Sequence, residues 1–142
     1  GSAMIRVRLV EGRFVVEELW RLPASEFGAD QHTPIFHEGH LFGVAPKPAE
    51  MVCLNLEGRR AWSSGTDNTF GLGPFLVADG MILALDDRRG TLHLIEASPA
   101  RYRELSRAQV LHGHDAWGPM ALAGGRLILR DLTEMICVEV GE

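Results

Sequence analysis

The apolar residues of this chain fall into short runs that are separated by glycine-containing turns. Three such turns each lie between two apolar runs, at Glu38-Gly39, Asp79-Gly80 and Gly124-Gly125. Glycine readily adopts the positive φ that a tight hairpin turn needs, so each pair predicts a β-hairpin. Only residues 100–110 could form an amphipathic helix, and their spacing matches one poorly. The pattern therefore predicts an all-β fold.

These runs recur with a period of 40 to 45 residues. The first landmark is a proline before the first strand of each unit, at Pro34, Pro74 and Pro119. The second is a short apolar strand that begins at Met51, Thr91 and Met135. The third is a bulky apolar residue that closes each unit, at Trp20, Trp62 and Leu105. A period of this length with four short strands per unit is typical of a β-propeller blade.

The repeats also predict how the chain is organised. We expect residues 1–4 to be a cloning scar and residues 5–142 to form a segment of about three four-stranded blades. The blade units cover about 31–64, 70–107 and 118–140. We expect the early strand at 13–22 to complete the third blade, either of the same chain or of a second copy. Closed propellers have about four to eight blades, so three require further blades or a second copy. The simplest closed assembly is a homodimer.

Composition and charge restrict the class of partner that this chain can bind. Apolar residues make up 46% and charged residues 23% of the 142 positions, which is ordinary for a globular domain. There are 14 basic and 19 acidic residues, and the net charge of −5 argues against a nucleic-acid partner. No apolar run reaches the roughly 18–20 residues of a membrane-spanning helix. A protein partner, or another copy of the chain, remains the favoured class.

Three segments resemble one known family, the quinoprotein-like, or PQQ-like, β-propeller repeat proteins. They are Val16-Glu-Glu-Leu-Trp-Arg21, Gln31-His-Thr-Pro-Ile35 and the stretch from Val52 to Trp62. In the family's repeat, a turn joins the last two strands and a tryptophan docks against the next blade. The corresponding residues here are 54–58 and Trp62. Residues 90–105 resemble the BamB-type outer-membrane assembly proteins of this family, which implies a periplasmic or other extracytoplasmic location.

The family also contains quinone-dependent dehydrogenases, from which this chain departs. Those enzymes hold the quinone between a tryptophan and a disulfide of adjacent cysteines, with calcium bound by a Glu-Asn-Asp set. This chain has no Cys-Cys pair, and Asn55 and Asn68 are its only asparagines. The resemblance therefore implies a non-enzymatic module that binds a protein or peptide, without PQQ or calcium. The alternative is a quinone-, metal- or sugar-binding fragment of a quinoprotein-like dehydrogenase.

The loops before the three prolines hold the candidate ligand-binding residues. An aspartate lies four residues before Pro34 and four before Pro119, and an Asp-Asn pair precedes Pro74. If these loops surround one end of an axis, seven side chains line the same channel mouth: Asp30, His32, Asp67, Asn68, His114, Asp115 and Trp117. The alternative is that the aspartates cap turns and that Trp117 packs between blades.

Two further groups of residues have simpler interpretations. His112, His114 and Asp115 are possible metal ligands, but a metal site needs a preset geometry and the sequence assigns no fourth ligand, so we favour solvated loop histidines. We accordingly expect neither a metal site nor a catalytic residue. Cys53 and Cys137 occupy equivalent positions among valine, leucine and isoleucine. We expect both thiols to be buried between sheets.

Overall fold

The computed structural model describes residues 1–141 and is built entirely from antiparallel sheets. A hairpin joins β1 (Ser2–Val10) to β2 (Arg13–Leu22). Sheet 1 contains β3 (Ile35–His37), β4 (His40–Val44), β5 (Met51–Asn55) and β6 (Arg60–Ser63). Sheet 2 contains β7 (Phe75–Ala78), β8 (Met81–Asp86), β9 (Thr91–Glu96) and β10 (Glu104–Gln109). Sheet 3 contains β11 (Ala121–Ala123), β12 (Arg126–Arg130) and β13 (Met135–Glu139).

The predicted all-β class is confirmed, since the described residues contain no helix. The segment 100–110, the one possible helix, instead contributes strand β10. Sheets 1, 2 and 3 fall at the three repeats that the prolines and glycines indicate. Strand order within each sheet follows the chain, so every connection is a hairpin between neighbouring strands.

The first two strands pair with each other along their whole length. The register runs from Ser2 opposite Leu22 to Val10 opposite Arg13, and Met4 lies opposite Trp20. Residues 2–4 are therefore part of a strand. Within the described chain, β13 is the edge of a three-stranded sheet and does not pair with β2. Completion of sheet 3 by residues 13–22 of another copy stays a prediction.

Sheet 2 is covered on both faces, which explains its apolar sequence. Successive strand residues point to opposite faces. Ile82 and Ala84 of β8 pack in a core shared with sheet 1, whereas Leu83 and Leu85 pack in a core shared with sheet 3. An uninterrupted apolar run is the pattern expected of a strand that is buried on both sides. Sheets 1, 2 and 3 thus lie in series, with sheet 2 in the middle.

A tryptophan from an outer strand links each of the first two units to the next sheet. Trp62 is 8% exposed, and its Nε1 donates a 2.8 Å hydrogen bond to the carbonyl of Ser98, in the loop between β9 and β10 of sheet 2. It also contacts Phe42 and Tyr102, with ring centroids 5.9 and 5.8 Å away. Trp20 repeats the arrangement, because its Nε1 donates at 2.8 Å to the carbonyl of Leu56, in the turn between β5 and β6 of sheet 1. Burial of an indole with its N–H paired is the favourable state of this side chain.

A glycine makes room for the first of these rings. Gly58 lies in the turn between β5 and β6 with φ of +76°, where a side chain is strained. A Cβ at this position would lie 2.9 Å from Cδ2 of Trp20. The Glu57-Gly58 turn is therefore required both by its own backbone conformation and by the ring that packs on it.

The same β-bulge precedes the equivalent position in every unit. Trp20 pairs with Met4, Trp62 with Cys53 and Ser106 with Leu94, and each pair follows a register shift. The residue equivalent to the tryptophans in sheet 2 is therefore Ser106. The prediction that assigned this place to Leu105 is wrong by one residue, because the bulge inserts an extra residue into the strand. Leu105 is 42% exposed.

The two cysteines have different environments. Cys53 is buried in the core between sheets 1 and 2, as predicted, and burial raises the pKa of its thiol to about 11. Cys137 is exposed, so the prediction of a buried thiol there is wrong. Its strand face is open because the described chain has no sheet beyond sheet 3.

We predict that Trp62→Ala lowers the free energy of unfolding by about 3–5 kcal/mol, because a buried indole is lost and a cavity remains. Trp62→Phe is the control: it keeps a ring in place and removes the hydrogen bond to Ser98, so its cost should be nearer 1 kcal/mol. Urea denaturation at one fixed protein concentration measures both. A cost below about 1 kcal/mol for the alanine variant would contradict the docking role.

Candidate functional site

A cavity of about 480 Å³ lies where the loops before the three prolines meet, and we call it the loop cavity. Every repeat contributes to its wall. The lining combines apolar, aromatic and a few polar side chains, including Gln31, His32, Thr33, Leu72, Phe75, Trp117 and Met120. Concave sites of this size with a few polar groups are the usual form of ligand-binding pockets.

Two of the seven residues predicted at the channel mouth, His32 and Trp117, line this cavity. The other five lie outside its lining. Asp30 and Asp67 are exposed. The Asn68 side chain donates to the carbonyl of Ser64 at 3.2 Å.

His32 is the most unusual polar side chain of the loop cavity. Neither of its ring nitrogens, both buried, has a hydrogen-bond partner among the described residues. Its ring lies edge-on to Phe75 with centroids 5.5 Å apart. Burial lowers the pKa of His32, because the charged imidazolium loses its hydration there. The imidazole is therefore neutral at pH 7, with one donor and one acceptor available to a ligand.

Trp117 is held by Asp87, a residue that the motif search did not single out. Asp87 is 7% exposed, and its Oδ2 accepts a 3.0 Å hydrogen bond from Nε1 of Trp117. Its backbone carbonyl accepts from the Ala116 N–H at 3.3 Å. The carboxylate also packs on Gly71, where a Cβ would collide with Oδ1. Asp87 thus connects the loops before Pro74 and Pro119, and its place after the buried run 81–85 was the only signal in the sequence.

Aspartates do cap turns here, but at other positions than those predicted. Oδ1 of Asp86 accepts backbone N–H groups of residues 88 and 89 at 2.9 and 3.2 Å. Oδ1 of Asp131 likewise accepts the N–H of Thr133 at 2.6 Å and that of Glu134 at 2.8 Å. Asp86 is the last residue of β8, and Asp131 directly follows β12, so both lie at the end of the second strand of their sheet. This is the ordinary Asx-type turn, repeated in sheets 2 and 3.

Asp131 also anchors the histidine-rich loop. Its Oδ2 accepts the Gly113 N–H at 2.9 Å, and its Oδ1 accepts the Thr133 hydroxyl at 2.7 Å. The hydroxyl and backbone donors lower the pKa of Asp131 from 3.8 to about 2, since they bind the charged form. The carboxylate is therefore a structural clamp between the 112–115 loop and sheet 3.

The three possible metal ligands are not gathered around one point. Nδ1 of His114 lies 2.7 Å from Oδ2 of Asp115, and both are partly or fully exposed. His112 is exposed, and its backbone N–H donates to Glu134 at 3.2 Å. Within residues 1–141, no three His, Cys, Asp or Glu side chains are arranged to hold a metal ion.

Comparison with protein-family models gave no match, and comparison with curated proteins gave no significant match. Across residues 1–141 the structure has no helix with the length and hydropathy to cross a bilayer.

We predict that stability falls at acidic pH through Asp131. Its pKa is lowered on folding, so its contribution is complete above pH 3.8, its ordinary pKa, and is lost as the pH falls towards about 2. Asp131→Asn should therefore flatten the stability profile between pH 4 and pH 2, relative to the unchanged protein. Asp67→Asn, at an exposed position, is the control. Parallel profiles for Asp131→Asn and the unchanged protein would contradict the clamp.

Proposed function

We propose that this chain is a non-enzymatic β-propeller module that binds proteins, and that its first partner is a second copy with which it closes a ring. The observation that carries the proposal is the open face of sheet 3. In sheets 1 and 2, the equivalent face is covered by the next sheet along the chain. In sheet 3 it is open.

The pairing registers identify these equivalent positions. Phe42 pairs with Cys53 in sheet 1, and Leu83 pairs with Leu94 in sheet 2. Phe42 and Cys53 are fully buried, and Leu83 is 4% exposed. The corresponding pair in sheet 3 is Ile128 and Cys137, of which Ile128 is 42% exposed and Cys137 is also exposed. The apolar character of the pair is retained where no neighbour covers it.

The hairpin of β1 and β2 supplies a second open surface. Trp20 and Leu22 at the base of the hairpin pack against the core of sheet 1, whereas the outer part of the hairpin is exposed. Val7 lies opposite Val16 and Leu9 opposite Phe14, and all four side chains are between 53% and 78% exposed. We call residues 7–16 the arm. Exposed apolar strands with unpaired edges are typical of interfaces, because they otherwise promote uncontrolled association.

A second copy fits both surfaces with one symmetric arrangement. The arm of each copy packs on, or pairs with, the edge strand β13 and the open face of sheet 3 in the other. Exchange of an identical element between two copies is a low-cost route to a dimer. Two copies would contribute six sheets, which lies within the range of closed propellers. The loop cavity of each copy then offers an apolar and aromatic surface, with His32 as its hydrogen-bonding group, to a peptide of a further protein.

We predict a homodimer at micromolar concentration, of about twice the 15.6 kDa chain mass. Burial of the apolar arm and sheet face is the driving force, since each 100 Å² of apolar surface removed from water contributes about 2.5 kcal/mol. Light scattering or native mass spectrometry gives the mass. A single species of 15.6 kDa would refute self-assembly.

Variants show which surface is used. Ile128→Glu and Phe14→Glu should shift the protein to the monomer, because each places a charge in the proposed interface. Leu105→Glu is the matched control, since Leu105 and Ile128 have the same 42% exposure but Leu105 lies on the outer strand of sheet 2. Dimers that persist in both interface variants would place the contact elsewhere.

A further inference from the structure

A second concave site, of about 250 Å³, lies between sheets 2 and 3 and is open to solvent beside the exposed Ser106 and Val140; we call it the inter-sheet cavity. Its walls are mainly apolar side chains, among them four leucines. Sheet 2 contributes Leu83 and Leu94, and sheet 3 contributes Leu122. Ser106 of β10 and Val140, directly after β13, also line it. Arg107 and Asp79 are the charged residues of its lining.

The position of Ser106 explains why this space is unfilled. Ser106 is equivalent to Trp20 and Trp62 by strand pairing and by the preceding bulge. It lies opposite Leu94, which packs in the core between sheets 2 and 3. The β1–β2 hairpin and sheet 1 fill this place with the indole of Trp20 and Trp62, whereas sheet 2 has only the hydroxymethyl group of Ser106.

The wall that sheet 3 contributes to the cavity is equivalent to the part of sheet 1 that binds the indole of Trp20. Asn55 lies opposite His40, and Glu139 lies opposite Arg126, at matching positions of sheets 1 and 3. Leu56, whose carbonyl accepts the N–H of Trp20, directly follows Asn55. Val140 directly follows Glu139 and lines the cavity. The segment that accepts the indole N–H in sheet 1 therefore has its counterpart at the wall of the cavity.

We infer that the inter-sheet cavity is a binding site for a small aromatic molecule with a ring N–H, of which indole is the simplest. Apolar walls that face unfilled space lack the dispersion contacts that a packed core provides. The volume of about 250 Å³ is large enough for a fused ring, which would remove apolar surface of the lining from water. The ring restores the missing contacts, and its N–H donates to the backbone near Val140.

The test is titration of the unchanged protein with indole, followed by calorimetry and by NMR. We expect a Kd of about 1 mM or below, which is reasonable for so small a ligand. Nuclear Overhauser contacts should connect indole protons to the methyl groups of Leu83, Leu94 and Leu122. Absence of binding, or contacts only at the loop cavity, would overturn the assignment. This outcome is independent of the oligomeric state.

Variants at one position make the test specific. Ser106→Trp should fill the cavity with the protein's own indole, weaken binding of free indole at least tenfold and raise the Tm. Leu105→Trp adds the same ring one residue away, outside the lining, and should leave binding unchanged. Undiminished binding by a folded Ser106→Trp variant would overturn the inference. If that variant does not fold, the NMR contacts in the unchanged protein decide.

The hydrogen bond from the indole N–H to the backbone near Val140 is tested by changing the ligand. 1-Methylindole has nearly the same shape as indole but no N–H. We expect it to bind several-fold more weakly, because the backbone acceptor then loses its donor. Equal affinity of the two ligands would overturn the assigned role of the ring N–H.

Discussion

The docking of an outer-strand tryptophan on the next sheet is the interaction on which the arrangement of this chain depends. The covalent chain does not fix the orientation of one sheet relative to the next, and apolar burial alone is non-directional. The N–H of Trp20 and of Trp62 supplies the direction, since each reaches a carbonyl 36 residues further along the chain. The bulge before each ring and Gly58 beneath the first are local features that serve this contact.

Within residues 1–141, the interface between sheets 2 and 3 has no tryptophan docked from an outer strand, and its packing differs from that of the two earlier interfaces. Leucines hold sheets 2 and 3 together through Leu83, Leu85, Leu127 and Leu129, while the outer part of the interface contains the inter-sheet cavity. Beyond sheet 3, the open face carries Ile128 and Cys137. Packing is therefore well defined where the two tryptophans dock, whereas exposed apolar surface lies at both ends of the chain, in the arm and on the open face of sheet 3. Both of our functional proposals arise from that difference.

Polar residues at the loop end have structural as well as binding roles. Asp86 and Asp131 cap turns, and Asp87 connects two loops through Trp117. Residues chosen by sequence at this end, such as Asp30 and Asp67, are solvent-exposed. His32 is the exception, because its unpaired ring nitrogens face no structural partner. Buried groups of this kind usually have an explanation in function, which is why the loop cavity is the peptide site of our proposal.

The sequence by itself determined the all-β class, the glycine turns of the hairpins and the two docking tryptophans. Turn glycines, strand-forming runs and a regular period are local properties, and local backbone preferences decide them. Only the tertiary structure decided that Ser106 replaces the third tryptophan, since a bulge shifts pairing by one residue and leaves no signal in composition. It also decided which of two equivalent cysteines is buried, and that Asp87 meets Trp117. The burial of each cysteine and the contact of Asp87 with Trp117 depend on what packs against each sheet face. Those packing partners are residues distant in the chain.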